Sequence, residues 1–155
     1  MKKANINNAL TAEYAESYVE MNSAELKKFF ITDKGRCGFH DEDRHMILNV
    51  AWTKPGILGF LTDERSVLRG AEMRLRHNIP TYRKIGDISA DTAGCKAIGI
   101  RFEYKVIGTD VIQYSDLYVF KLGKVYYSPQ IIARKDDFEV SQFDMAEFLG
   151  SIKSA

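Results

Sequence analysis

Between Cys95 and Arg134, three long runs with strand periodicity follow one another with only tight turns between them. That arrangement restricts the chain to folds built on an antiparallel sheet. In the first run Ile98, Ile100, Phe102, Tyr104 and Val106 alternate with Ala97, Gly99, Arg101, Glu103 and Lys105. A strand of this pattern buries one face and leaves the other small or wet. Gly108-Thr109-Asp110 turns the chain, and Val111 to Leu122 returns with Ile112, Tyr114, Tyr118 and Phe120 on one parity and Val111, Leu117 and Val119 on the other. Such a strand is expected to be covered on both faces. Gly123-Lys124 makes a second tight turn, and Val125 to Arg134 runs back rich in β-branched and aromatic residues. Pro129 interrupts this third run, and because proline has no N–H to give a ladder it predicts an edge strand or a bulge.

Earlier in the chain the elements are shorter. Tyr14 to Met21 is ambiguous: Tyr14 and Tyr18 sit four apart as on a helix, and Tyr18 to Met21 fits a first strand equally well. Ser23 is placed to cap a short helix with Glu25 in its first turn and Leu26, Phe29 and Phe30 at helical spacing. From His45 to Trp52 the residues Met46, Leu48, Val50 and Trp52 alternate as a strand with Trp52 on its core face. A longer helix follows, capped by Thr62, closed before Pro80, and buried along Val67, Leu68, Ala71, Leu75 and Ile79. Its arginines, Arg65, Arg69, Arg74 and Arg76, are interleaved with Asp63, Glu64 and Glu72 and read as a solvated face, with Glu72 and Arg76 at pairing distance. The last helix begins near Asp137 or Ser141 and carries Met145, Phe148, Leu149 and Ile152 on one stripe.

A chain of 155 residues, 45% hydrophobic and without linker or repeat, is read as one globular domain spanning 1–155, with residues 1–12 as a disordered arm. Its 22 basic and 21 acidic residues leave a formal charge of +1, so no overall field draws it to nucleic acid or to an anionic membrane. The start has no apolar stretch behind its two lysines, and with only Cys37 and Cys95 for thiols the reading is a cytoplasmic protein with reduced cysteines.

One segment has chemical character: His40-Asp41-Glu42-Asp43-Arg44-His45. As a hairpin tip closed by four residues, with Phe39 opposite Met46, it would set His40 opposite His45, at about 5 Å between Cβ atoms. A metal could then reach both, with Asp43 or Asp41 as a third ligand. An Asx-rich turn explains the same residues without a metal, and no HExxH, HxH or Cys/His pattern joins it. Hence no metal and no cofactor is assigned; His40, Asp43 and His45 stand as the candidate set. Phosphate-loop, nucleophile-elbow and dinucleotide motifs are absent, and Cys37 shares the parity of Phe39, which points it inward as a structural thiol. Tyr114, Tyr118, Tyr126 and Tyr127 give the sheet enough aromatic surface to line a ligand pocket.

The order of elements carries a resemblance: a short helix, a strand ending Val50-Ala51-Trp52, a helix from Asp63 to Ile79, a meander containing Ala97-Ile98-Gly99-Ile100-Arg101-Phe102-Glu103-Tyr104 and Gly123-Lys124-Val125-Tyr126-Tyr127, and a terminal Phe148-Leu149-Gly150-Ser151-Ile152 helix. From about Tyr18 onward this resembles the PsbP-like superfamily, which includes an extrinsic subunit of photosystem II, a nuclear factor acting on the small GTPase Ran, and bacterial proteins of the DcrB type. The resemblance implies an α+β fold, an antiparallel meander with helices on both faces in an α/β/α sandwich. It also implies a nonenzymatic adaptor or chaperone-like module whose partner is another protein, and it carries over no site residue. The alternatives are a domain that binds a small ligand or an apolar peptide in a cleft between sheet and helices, and a metal-dependent hydrolase using His40, Asp43 and His45. Oligomeric state is left open.

Overall fold

The computed structural model describes residues 1–30, 32–57 and 59–155. Seven antiparallel strands form the main sheet: β3 (Val19–Glu20), β4 (Arg36–Asp41), β5 (Met46–Thr53), β6 (Arg83–Thr92), β7 (Cys95–Lys105), β8 (Ile112–Leu122) and β9 (Val125–Arg134), in the order β3-β4-β5-β9-β8-β7-β6. A small second sheet joins β1 (Lys2–Ile6), β2 (Leu10–Tyr14) and β10 (Lys153–Ser154). Three helices complete the chain: α1 (Ser23–Phe30), α2 (Glu64–Asn78) and α3 (Phe138–Ser151). Among the described residues no helix is long and apolar enough to cross a membrane.

Strand parity sorts the sheet into two faces, as a period of two requires. Phe39, Met46, Leu48, Val50, Tyr118 and Phe120 point to one face, where the stripe Met145, Phe148, Leu149 and Ile152 closes the main core. The α3 helix therefore lies on this face, with Phe138 edge-on to Tyr114, and the small sheet extends the same core through Ile6, Leu10, Ala12 and Tyr14. On the other face Ile100, Phe102 and Leu117 meet Leu68, Ala71 and Leu75 of α2, while α1 sits on β4. This is an α+β sandwich with helices on both faces of an antiparallel meander.

The two helical layers are unequal. None of the residues of α2 is fully buried; of its expected stripe Leu68, Ala71 and Leu75 pack on the sheet, each only partly covered. A helix so lightly seated leaves room between itself and α1, and a trough lies there.

Four expectations need correction. Residues 1–12 are not a disordered arm: Asn7 and Asn8 at positive φ turn β1 into β2, which buries Ile6 and Leu10 completely. Pro129 is not in an edge strand, for β9 runs between β5 and β8. The β8–β9 ladder keeps its register from Leu117↔Gln130 to Phe120↔Tyr127 and omits rungs between them, so the missing N–H is absorbed by a local gap rather than a bulge. The cap of α1 is Asn22, whose Oδ1 accepts from Glu25 N at 2.9 Å while Glu25 Oε1 accepts from Asn22 N at 3.2 Å, a reciprocal capping box one residue ahead of Ser23. Likewise Asp63, not Thr62, caps α2, accepting from Ser66 N at 2.8 Å.

Candidate functional site

The helices α1 and α2 cover the two ends of one sheet face and leave its middle open. Gly38 permits the close seating of α1, since a Cβ there would stand 2.9 Å from Met21 Sδ and 3.1 Å from Leu26 Cδ2. The floor between the helices is made by odd positions of β5 and even positions of β9: Ile47, Ala51, Ser128, Gln130 and Ile132 line it, and Asn49 lies covered beneath them. Two adjoining hollows share Phe29 of α1 as a wall and meet where Ile47 pairs with Ile132.

The first hollow, about 720 Å³, opens between α1, the β4–β5 turn and the β7–β8 turn. Its apolar lining is Phe29, Ile47, Val106 and Val111, and its polar rim includes Glu25, Lys28, Glu42 and Arg134. Phe29 is 51% exposed and Ile107, at the tip of the β7–β8 turn, 83% exposed. Phe29 thus forms one exposed apolar wall of the mouth, and Val106 and Val111 beside the β7–β8 turn form the other. The second hollow, about 410 Å³, is a trough between α1 and α2 walled by Phe30, Leu75, Phe102 and Tyr104, with Arg36, Ser128 and Gln130 along its floor.

No family model matches the chain, and no curated protein matches it. Solved structures do. Against the cyanobacterial PsbP of Synechocystis the chain aligns over 99% of its length and 92% of the other's, at 12% identity and a TM-score of 0.69. The chain has the PsbP-like fold. LpqN of Mycobacterium tuberculosis, described as involved in cell envelope biogenesis, shares it at 14% identity and a TM-score of 0.62 over 94% of this chain and 83% of that one. The yeast Ran-binding protein Mog1p does so at 8% identity and a TM-score of 0.57 over 95% and 84%. A Bacteroides thetaiotaomicron structure is larger: at 10% identity and a TM-score of 0.60 the chain spans 94% of itself but only 45% of that protein. At such identities the likeness is one of fold.

Within this PsbP-like fold the three sequence candidates all border the first hollow, but not as a facing pair of histidines. The turn sits one residue later than expected, which moves every pairing by two and keeps the parity: Asp41 pairs with Met46, His40 with Ile47, and Glu42 to His45 form the turn. Asp41 causes the shift. Its Oδ1 accepts from Arg44 N at 3.2 Å and its Oδ2 from Arg44 Nε at 2.5 Å, and His45 closes the turn at a φ of 55°, a region open to histidine more than to most side chains. His40 instead lies between two glutamates, Nε2 3.3 Å from Glu25 Oε2 and Nδ1 3.6 Å from Glu42 Oε1. Among the described residues no three His, Cys, Asp or Glu side chains are grouped to hold a metal.

Tyr114, Tyr118, Tyr126 and Tyr127 do not line either hollow. Tyr118, Tyr126 and Tyr127 are buried, Tyr127 stacks on Phe120 at 5.2 Å, and Tyr126 Oη donates to Thr62 O at 2.6 Å. Cys37 points inward as its parity requires, and burial pushes its thiol up to about 12, which leaves negligible thiolate at neutral pH. Arg36, Asn49 and Gln130 went unremarked in the sequence. Their signal is a polar residue on one parity of each of several strands, visible only once β4, β5 and β9 are known to be neighbours.

Proposed function

We propose that this chain is a nonenzymatic interaction domain that holds a segment of another protein in the first hollow, with an apolar side chain of the partner lodged between Phe29 and Val111. The observation that carries this reading is the open middle of the sheet, bounded by an exposed phenylalanine on one side and an apolar hairpin tip on the other. Leaving that much apolar surface in water costs free energy that a partner's side chain recovers. The occurrence of the fold in a Ran-binding protein supports a protein as the ligand. The rim carries Glu25, Glu42 and Asp43 against Lys28 and Arg134, an acidic excess that favours a partner segment with a basic residue beside its apolar one.

A photoreactive phenylalanine analogue at Phe29 tests this, compared with the same group at Glu147 on the outer side of α3. Irradiation in the native host should give a discrete adduct of higher mass from position 29 alone. Adducts from neither site, or the same adducts from both, would remove the hollow from consideration.

A further inference from the structure

The trough between α1 and α2 holds a cation, Arg36, that no carboxylate among the described residues pairs with. Arg36 begins β4, and its side chain lies on the open face of the sheet, with the guanidinium 4.3 Å from the Phe30 ring centroid. Nη1 donates to Asn49 Oδ1, while Nε is buried with no partner. Burial pulls the pKa of this arginine down, and the one group acting against it is the Cys37 thiol; no carboxylate contributes. Two other half-buried arginines do have such a carboxylate, Arg101 in Asp116 and Arg44 in Asp41.

The guanidinium is also held in place. Asn49 Nδ2 donates to Gln130 O at 3.4 Å and lies 3.5 Å from Gln130 Oε1, Gln130 Nε2 donates to Ser115 Oγ at 2.9 Å, and Ser115 Oγ donates to Ile131 O at 2.9 Å. This row crosses β4, β5, β9 and β8, every bond donating away from Arg36. Asn49 and Ser115 are fully shielded from solvent, so the row is built into the sheet rather than laid on its surface. A fixed, underpaired guanidinium beside apolar walls is the complement of a planar anion joined to a hydrocarbon.

We propose that the trough binds an apolar carboxylic acid, its carboxylate against Arg36 and its hydrocarbon between Phe30 and Leu75. The volume of about 410 Å³ suits a small ligand. Arg74 at the rim supplies a second positive charge, and one buried guanidinium matches one carboxylate better than a phosphate, which needs more donors. The trough is the neighbour of the hollow assigned to a protein segment, so either assignment can fail alone.

Decanoate below its micelle-forming concentration and 4-phenylbutyrate serve as probes, each compared with its own primary amide by calorimetric titration and by amide chemical shifts. At least one acid should saturate, with shifts at Arg36, Asn49 and Gln130, and bind about tenfold or more tightly than its amide. Arg36→Gln should abolish that preference. If Arg36→Gln does not fold, the comparison of acid with amide on the unaltered chain still decides. Neither acid saturating at millimolar concentration, acid and amide binding alike, or a folded Arg36→Gln that keeps the preference would overturn the proposal.

Discussion

At the scale of single residues, the Arg44–Asp41 pair at the β4–β5 turn contributes to the chain's response to acid. Arg44 bridges two carboxylates, its Nη2 2.8 Å from Asp144 Oδ2 and its Nε on Asp41, while Tyr18 Oη donates to the same Asp144 oxygen at 2.7 Å. Burial, followed by the Asp144 carboxylate, raises the Tyr18 phenol far above its ordinary value, so it acts only as a neutral donor. For Asp41 burial alone would raise the pKa, but the hydrogen bonds from Arg44 and Ser17 outweigh it and hold the carboxyl below its ordinary 3.8. A folded-state value below the unfolded one means stability that is present in full above the ordinary range. It is lost as pH falls through the folded value, so the loss begins near about pH 4. Urea midpoints at neutral pH and at about pH 3.5 should therefore fall less in Asp41→Asn than in the parent; an equal fall would show that Asp41 does not carry the acid sensitivity. Asp144→Ala strips a partner from both Tyr18 and Arg44 and should cost about 2–4 kcal/mol at neutral pH, read from the same urea curves.

At the scale of elements, what could be read beforehand was what local periodicity encodes. The meander from β7 to β9, the buried stripe of α3 and the core parity of β5 all follow from residues within one or two turns of each other. The position of β9 does not, because β5 reaches it across about half of the chain, and only that pairing reveals a proline in a central strand. The same limit hid the trough: Asn49, Gln130 and Ser115 lie far apart in sequence and become one row only when their strands are side by side. The histidine loop was legible as a turn yet missed by one residue, since a carboxylate that binds its own turn can move a register that parity alone leaves free. Gly99 tests the packing of the meander itself. A Cβ there would stand 2.4 Å from Leu117 O and 3.0 Å from both Ile88 Cγ1 and Tyr118 Cδ1, and a backbone carbonyl within a ladder cannot swing aside. Gly99→Ala should cost about 1–3 kcal/mol in chemical denaturation, with the far-ultraviolet spectrum preserved. A loss below a few tenths of a kcal/mol would mean that β7 and β8 yield more easily than close packing implies.

At the scale of the whole molecule, the two ends of the chain close one core. β2 pairs with β10 through Thr11↔Lys153 and Leu10↔Ser154, and Ser151 Oγ accepts from Glu13 N at 2.8 Å. The N-terminal hairpin is thus the outer wall over α3, with Ile6 and Leu10 buried against the same cluster as Phe148 and Ile152. Burying a side chain of that size contributes about 1.5–3 kcal/mol, so removing Ile6 and Leu10 forfeits about 3–6 kcal/mol even before the newly wetted faces of Phe148 and Ile152 are counted. A domain of ordinary stability, about 5–15 kcal/mol, would keep little of it. Deleting residues 1–12 should therefore lower the urea midpoint by half or more, or leave a chain with helical signal but no cooperative transition. The groove lies on the opposite face, so Phe29 and Arg36 are not touched directly by the deletion. An unchanged midpoint would show that the seven-stranded sheet with α1, α2 and α3 is self-sufficient and that the hairpin merely rests on it.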